Sequence, residues 1–210
     1  MFIADSRGLD FLNSIATPVD KPIEFIGCGE DFLAWLRDAL LVPAGVLATL
    51  QDRAVPGELD DVAAQARALR EWFRDFVVEY RGKPLPMNAA KKLEPLNQLL
   101  ARDEEFGQIV PRDRRHGDEA PSQLKWEVQS RWHSPESLLI PIAKAMAELV
   151  CSEDFSNIKA CQGHTCTLFF LDKTRGRARR WCSMAICGNR AKQAAHRKRT
   201  KRTRGRRARK

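Results

Sequence analysis

The chain has 210 residues, with 36 Lys and Arg against 27 Asp and Glu, a length that suits one medium domain and a small one. The net charge of +9 hides a split: residues 1–172 carry 19 basic and 27 acidic residues, whereas residues 173–210 carry 17 basic residues and no acid. An acidic body repels phosphate and a basic end attracts it, so a single uniform phosphate-binding surface is excluded and two parts with different tasks are expected.

The start of the chain, Met1 to Asp5, has no basic region ahead of an apolar stretch, so it does not read as a secretory signal. Asp5 or Ser6 is placed to cap a short helix through Leu9, Phe11 and Leu12. Residues 30–41 set Phe32, Leu33, Leu36 and Leu40 on one face, and Pro43 ends the segment. The longest apolar stretch, Leu40 to Leu50, is broken by Pro43, Gly45 and Thr49 and falls short of the about 20 residues that cross a bilayer. No membrane partner is expected, and the protein reads as cytoplasmic.

The clearest helix is predicted from Glu58 to Tyr80. Val62, Ala66, Leu69, Phe73, Phe76 and Tyr80 form one stripe, with Asp60 and Asp61 near its start and Arg81 near its end. Gly82 and Pro84 stop it. Asn88 opens a further helix through Leu93, Leu96, Leu99 and Leu100, with an irregularity expected at Pro95. The period then changes to two over Phe106 to Val110 and at Leu124, Trp126 and Val128, which predicts a β-hairpin with a polar loop at Arg112–Pro121. Ser134 and Pro135 begin a last helix that buries Leu138, Leu139, Ile142, Met146 and Leu149. Trp35, Trp72, Trp126 and Trp132 read as packing residues, and Cys28 and Cys151 as buried thiols. Asn13, Arg67 and Arg70 read as caps or solvated helix faces ahead of a small-molecule pocket.

Two cysteine pairs follow, Cys161/Cys166 and Cys182/Cys187, with equal internal spacing and fifteen residues between them. Four thiolates so arranged suit one tetrahedral zinc. Disulfides would require an oxidising compartment, and a redox pair would have two intervening residues. His164, inside the first pair, reads as a loop residue. A metal-dependent nuclease would need a paired base and second metal site, which His164, Asn189 and His196 do not form. With no nucleophile–base set and no phosphate-cradling glycine loop, no enzyme is expected. Thr167–Asp172 is predicted as a strand, Lys173–Gly176 as a turn and Arg177–Trp181 as the return strand. Gly188–Ala195 is predicted as helix. The unit lacks the apolar area to fold alone, so the metal is its core.

Cys182, Cys187, Gly188, Asn189 and Arg190 resemble the signature of the CGNR zinc-finger family, and Phe169–Asp172, Arg179–Trp181 and the first cysteine pair fit it. The helical part resembles the ABATE (DUF1470-type) domain usually found ahead of that finger, through Asp10–Ser14, Trp35 with Leu36, and Leu138–Leu149. The resemblance covers nearly the whole chain. It departs at Lys173–Gly176, where the family commonly has a Ser-Arg-Asn-type turn. It implies a bacterial, stress-induced transcriptional regulator with Cys161, Cys166, Cys182 and Cys187 as the Zn2+ ligands.

The expected architecture is mainly α with a small β-hairpin (α+β) over residues 1–155. A treble-clef-like zinc finger at 158–195 and a disordered basic tail at 196–210 follow it. The expected partner is double-stranded DNA, with structured RNA or a ribosome as the alternative. Contacts are expected from Arg175, Arg177, Arg179 and Arg180 on the hairpin, and from Asn189, Arg190, Lys192 and Arg197 on the helix. The helical domain is expected to sense a small-molecule ligand or to form a homodimer.

Overall fold

The computed structural model of the chain describes residues 2–17, 21–112 and 123–207, with side chains as far as residue 200. Helix α1 (Arg7–Leu12) is entered from Ser6, whose side chain makes no capping bond. Asp10, buried on α1, instead accepts the backbone N–H groups of Ile3 and Ala4, both at 3.0 Å. Strand β1 (Ile15–Ala16) pairs antiparallel with β2 (Ile23–Glu24). Helices α2 (Gly29–Asp38), α3 (Ala44–Arg53) and α4 (Glu58–Tyr80) follow. Helix α4 spans the range that its apolar stripe predicts.

A 3-10 segment, Met87–Leu93, leads into α5 (Glu94–Leu100). The expected irregularity is this change from 3-10 to α-helix at Glu94: Pro95 lies in the first turn of α5, where its missing N–H needs no intrahelical acceptor. The expected hairpin is β3 (Glu105–Pro111) with β4 (Leu124–Ser130). Of its polar loop, only Arg112 lies within the described residues. Helix α6 (Leu139–Ser152) follows a short 3-10 turn that Pro135 begins.

Helix α1 packs between α4 and α6. A Cβ on Gly8 would lie 2.8 Å from the Ala145 carbonyl oxygen, so a glycine is what lets α1 approach α6 this closely. Around that crossing, Leu9, Phe11, Leu12, Phe32, Leu36, Phe73, Ile142 and Met146 are closed to solvent.

Three side-chain expectations are corrected. Helix α2 ends at Asp38, and Leu40, at φ 56°, turns out of the stripe and is 81 % exposed. Cys28 and Cys151 are exposed rather than buried. Trp126 is 68 % exposed, because the β3–β4 pair stands as a two-stranded sheet with one face uncovered among the described residues. Its ring lies over Gly107 of the neighbouring strand, where any Cβ would collide with it.

The finger strands are β5 (Ile158–Ala160) and β6 (Phe169–Leu171), paired antiparallel. The return strand expected at Arg177–Trp181 does not form, and the partner of β6 comes from before the first cysteine. Asp172 is the reason. Its buried carboxylate accepts the backbone N–H of Thr174 at 3.0 Å and of Arg179 at 3.0 Å, and the Lys159 ammonium at 2.6 Å. That gathers residues 173–179 into a capped turn, with Arg177 at φ 46°. Helix α7 (Asn189–Arg207) closes the described chain. The helix runs past its expected limit at Ala195 into the basic segment. Arg, Lys and Ala are good helix formers, and Gly205 is the one glycine in that run.

Candidate metal centre

Cys161 leaves β5 and Cys166 leads toward β6, so the first pair occupies the turn of that hairpin. Cys182 follows the turn capped by Asp172. Cys187 lies in a π-helical turn, Met184–Gly188, that runs directly into α7. The four Sγ atoms lie within 4.8 Å of one another, with Cys166 to Cys182 at 3.8 Å and Cys182 to Cys187 at 3.6 Å. Sulfurs about 2.3 Å from a tetrahedral zinc stand about 3.8 Å apart, whereas a disulfide needs about 2.05 Å. The donor set therefore fits a metal and not a cystine pair.

The loop is shaped for this. A Cβ on Gly163 would lie 3.0 Å from the Cys187 sulfur, so a side chain there would push the loop off the cluster. The backbone N–H groups of Cys182 and Gly163 point at the Cys161 sulfur, at 3.3 and 3.4 Å. Hydrogen bonds from the Cys166 and Cys182 thiols, joined by those two N–H groups, push Cys161 down to about 2. The hydrogen bond to Cys161 in turn pushes Cys166 up to about 12, and Cys182 is also raised. Four thiols this close, with two backbone N–H groups aimed at one of them, would hold a dication as thiolates. Zinc held by these four residues would cross-link the hairpin to the start of α7. His164 is exposed and outside the sulfur cluster.

The finger is bound to the helical body by specific polar contacts. Asn13 Nδ2 donates to the Phe169 carbonyl at 2.9 Å, and the Phe169 N–H donates to Asn13 Oδ1 at 2.9 Å. The Leu171 N–H donates to the Ala4 carbonyl at 2.9 Å, and the Thr17 N–H to Thr167 Oγ1 at 2.9 Å. Nothing local in the sequence signals these contacts beyond a polar Asn13 directly after the apolar Phe11 and Leu12.

The predicted nucleic-acid residues separate into two groups. Arg179 is turned inward, which corrects its expected role. Its guanidinium lies 4.3 Å from the Phe170 ring centroid, donates to Cys182 O at 2.6 Å and Ile3 O at 3.1 Å, and pairs with Asp5. Arg177 donates to the Asp172 carbonyl. Arg175 is exposed on the turn, and its neighbour Lys173 pairs with Glu153 at 3.0 Å. Arg180 donates to Gln162 at 2.7 Å from the surface. On α7, Arg190, Lys192 and Arg197 are exposed, and Asn189 Nδ2 donates locally to the Ala185 carbonyl at 3.3 Å. A cleft of about 550 Å³ lies between the cysteine loop and α7, floored by Ala191, Ala194 and Ala195 and rimmed by Arg190, Arg197 and Lys198. The remaining candidates serve the body: Arg67 donates to Ile26 O at 2.8 Å, and Arg70 grips Glu24 at 2.6 Å.

A helical body joined to a four-cysteine hairpin and a helix rooted on the sulfur cluster define a zinc-finger protein with an N-terminal α-helical domain. The chain belongs to the ABATE family, whose model, described as "Putative stress-induced transcription regulator", matches residues 5–153. The CGNR zinc-finger model matches residues 157–200. Both families are described by regulation and metal binding rather than by a reaction. No curated protein matches the chain. No helix among the described residues is long and apolar enough to cross a membrane.

Proposed function

We propose that this chain is a zinc-dependent transcriptional regulator that binds duplex DNA through α7 and the turn carrying Arg175, while the helical body senses a ligand or oligomerises. One observation carries the reading: the helix rooted on the sulfur cluster is strongly basic and carries no acid. Nineteen residues of helix extend about 28 Å, and a major groove about 12 Å wide admits one helix. Asn189 and Arg190 stand next to the cluster, where the metal holds the backbone. In this reading Arg190 reads bases, with Asn189 joining it once its bond to the Ala185 carbonyl is released, and the cations beyond residue 196 supply phosphate affinity. The family description supports the regulatory half of this reading.

The test is selection from random duplex DNA by the zinc-loaded full-length protein at about 150 mM salt, where nonspecific phosphate binding is weakened. An enriched motif that Arg190→Ala relaxes supports a sequence-specific regulator. Binding without a motif, lost as salt rises, overturns it in favour of a general phosphate binder or a structured-RNA protein.

A further inference from the structure

A second cavity, of about 450 Å³, lies where the helical body meets the cysteine loop. Its walls are mostly apolar, built by Ile15, Ala16, Pro22, Ala160 and Phe169. The same cavity reaches Cys166 and Thr167, so anything bound there would touch the loop that carries the first thiol pair.

Among the described residues, the charges that line this cavity do not balance. Arg74 and Arg81 both line it, with their guanidinium carbons 5.8 and 5.7 Å from the Phe169 ring centroid. Among the described residues of the lining Glu71 is the one acid, and it is already taken. One of its oxygens accepts Arg70 at 2.8 Å and the other accepts Arg74 at 3.1 Å. Arg74 also donates to the Leu12 carbonyl. Among the described residues, no carboxylate pairs with Arg81. The described lining therefore holds two guanidiniums against one engaged carboxylate, one positive charge in excess, above an apolar floor. A guanidinium stacked on an aromatic ring keeps its edge N–H groups free to meet an oxyanion.

We infer that this cavity binds a small monoanionic acid with an apolar body, of the aromatic or medium-chain carboxylate class, with Arg81 holding the carboxylate and Phe169 and Ala160 packing the body. The ligand sits between the two matched family regions. Its contacts reach Phe169, the strand residue that Asn13 holds by two hydrogen bonds. The inference does not depend on DNA being the target, and its test contains no nucleic acid.

The test is calorimetric titration of the zinc-loaded full chain with benzoate and with octanoate at about 150 mM chloride, beside benzamide as a neutral isostere. At least one acid is expected to bind one to one with a Kd below about 1 mM, and benzamide about tenfold more weakly than benzoate. Arg81→Gln should weaken the acids about tenfold and leave benzamide unchanged. Ala160→Phe, which fills the cavity without touching a charge, should abolish binding of acids and amide alike. Saturable binding by neither acid overturns the inference. So does an equal loss on Lys198→Gln, which would place the anion on the basic helix.

Discussion

Asn13 and Phe169 bracket each other through two hydrogen bonds of 2.9 Å across 156 residues of sequence. An asparagine amide presents a donor and an acceptor side by side, as a backbone unit does, so Asn13 acts as a one-residue strand edge for β6. Both residues are buried, which makes the bracket costly to open. Asn13→Ala leaves the Phe169 N–H and C=O without partners and should lower stability by about 3 kcal/mol. Denaturant unfolding of the zinc-loaded protein checks it. A change within about 0.5 kcal/mol would mean that β6 finds other partners.

Cys182→Ser removes the sulfur that lies near two others in the cluster. Stoichiometric zinc should be lost, and amides 183–195 should lose protection in hydrogen exchange, because the π-turn and the start of α7 depend on the ligands. Helices α1 to α6 should keep their protection, because the apolar core they share with Ile158, Phe169 and Leu171 contains none of the four cysteines. Strand β6 should stay protected as well, since Asn13 and Ala4 hold it from the body. Simultaneous loss across the chain would show that body and finger fold as one unit.

Arg179 and Arg175 offer a direct contrast. Arg179→Ala empties a site that joins Ile3, Asp5, Phe170 and Cys182, and should cost about 2 kcal/mol with a lower melting temperature. Arg175→Ala alters an exposed side chain on the turn, and should leave the melting temperature unchanged while weakening duplex DNA binding. Thermal melts and salt-titrated binding separate the two effects.

Arg70 is buried against Glu24, with Glu71 and Ser14 completing its shell. Burial alone would raise the Glu24 carboxyl, but the Arg70 hydrogen bonds and charge outweigh it and hold Glu24 below its usual range. A depressed carboxyl adds stability above its unfolded pKa of about 4.3 and loses it as pH falls through the folded value. Glu24→Gln should therefore cost about 2 kcal/mol at pH 7, and the deficit should shrink steadily below about pH 4. Stability curves of the two proteins from pH 7 to 3 should converge in acid. Parallel curves would show that the pair carries no pH-dependent stability.

The sequence by itself determined the features that are periodic or local. The α4 stripe from Val62 to Tyr80 repeats with the helix, so its limits at Glu58 and Tyr80 were legible. The β3–β4 alternation repeats every second residue, and the four cysteines declare a metal by spacing and type alone. The charge split is a count. Tertiary structure decided what depends on partners far along the chain. Strand β6 could pair forward or backward, and the Asp172 carboxylate, folding residues 173–179 into a turn, made β5 the partner. Arg175 and Arg179 are the same residue type on one short segment, yet one is exposed and the other lies between Asp5 and the Phe170 ring. Nothing local separates them. The difference comes from an acid and an aromatic ring that only the folded chain brings together.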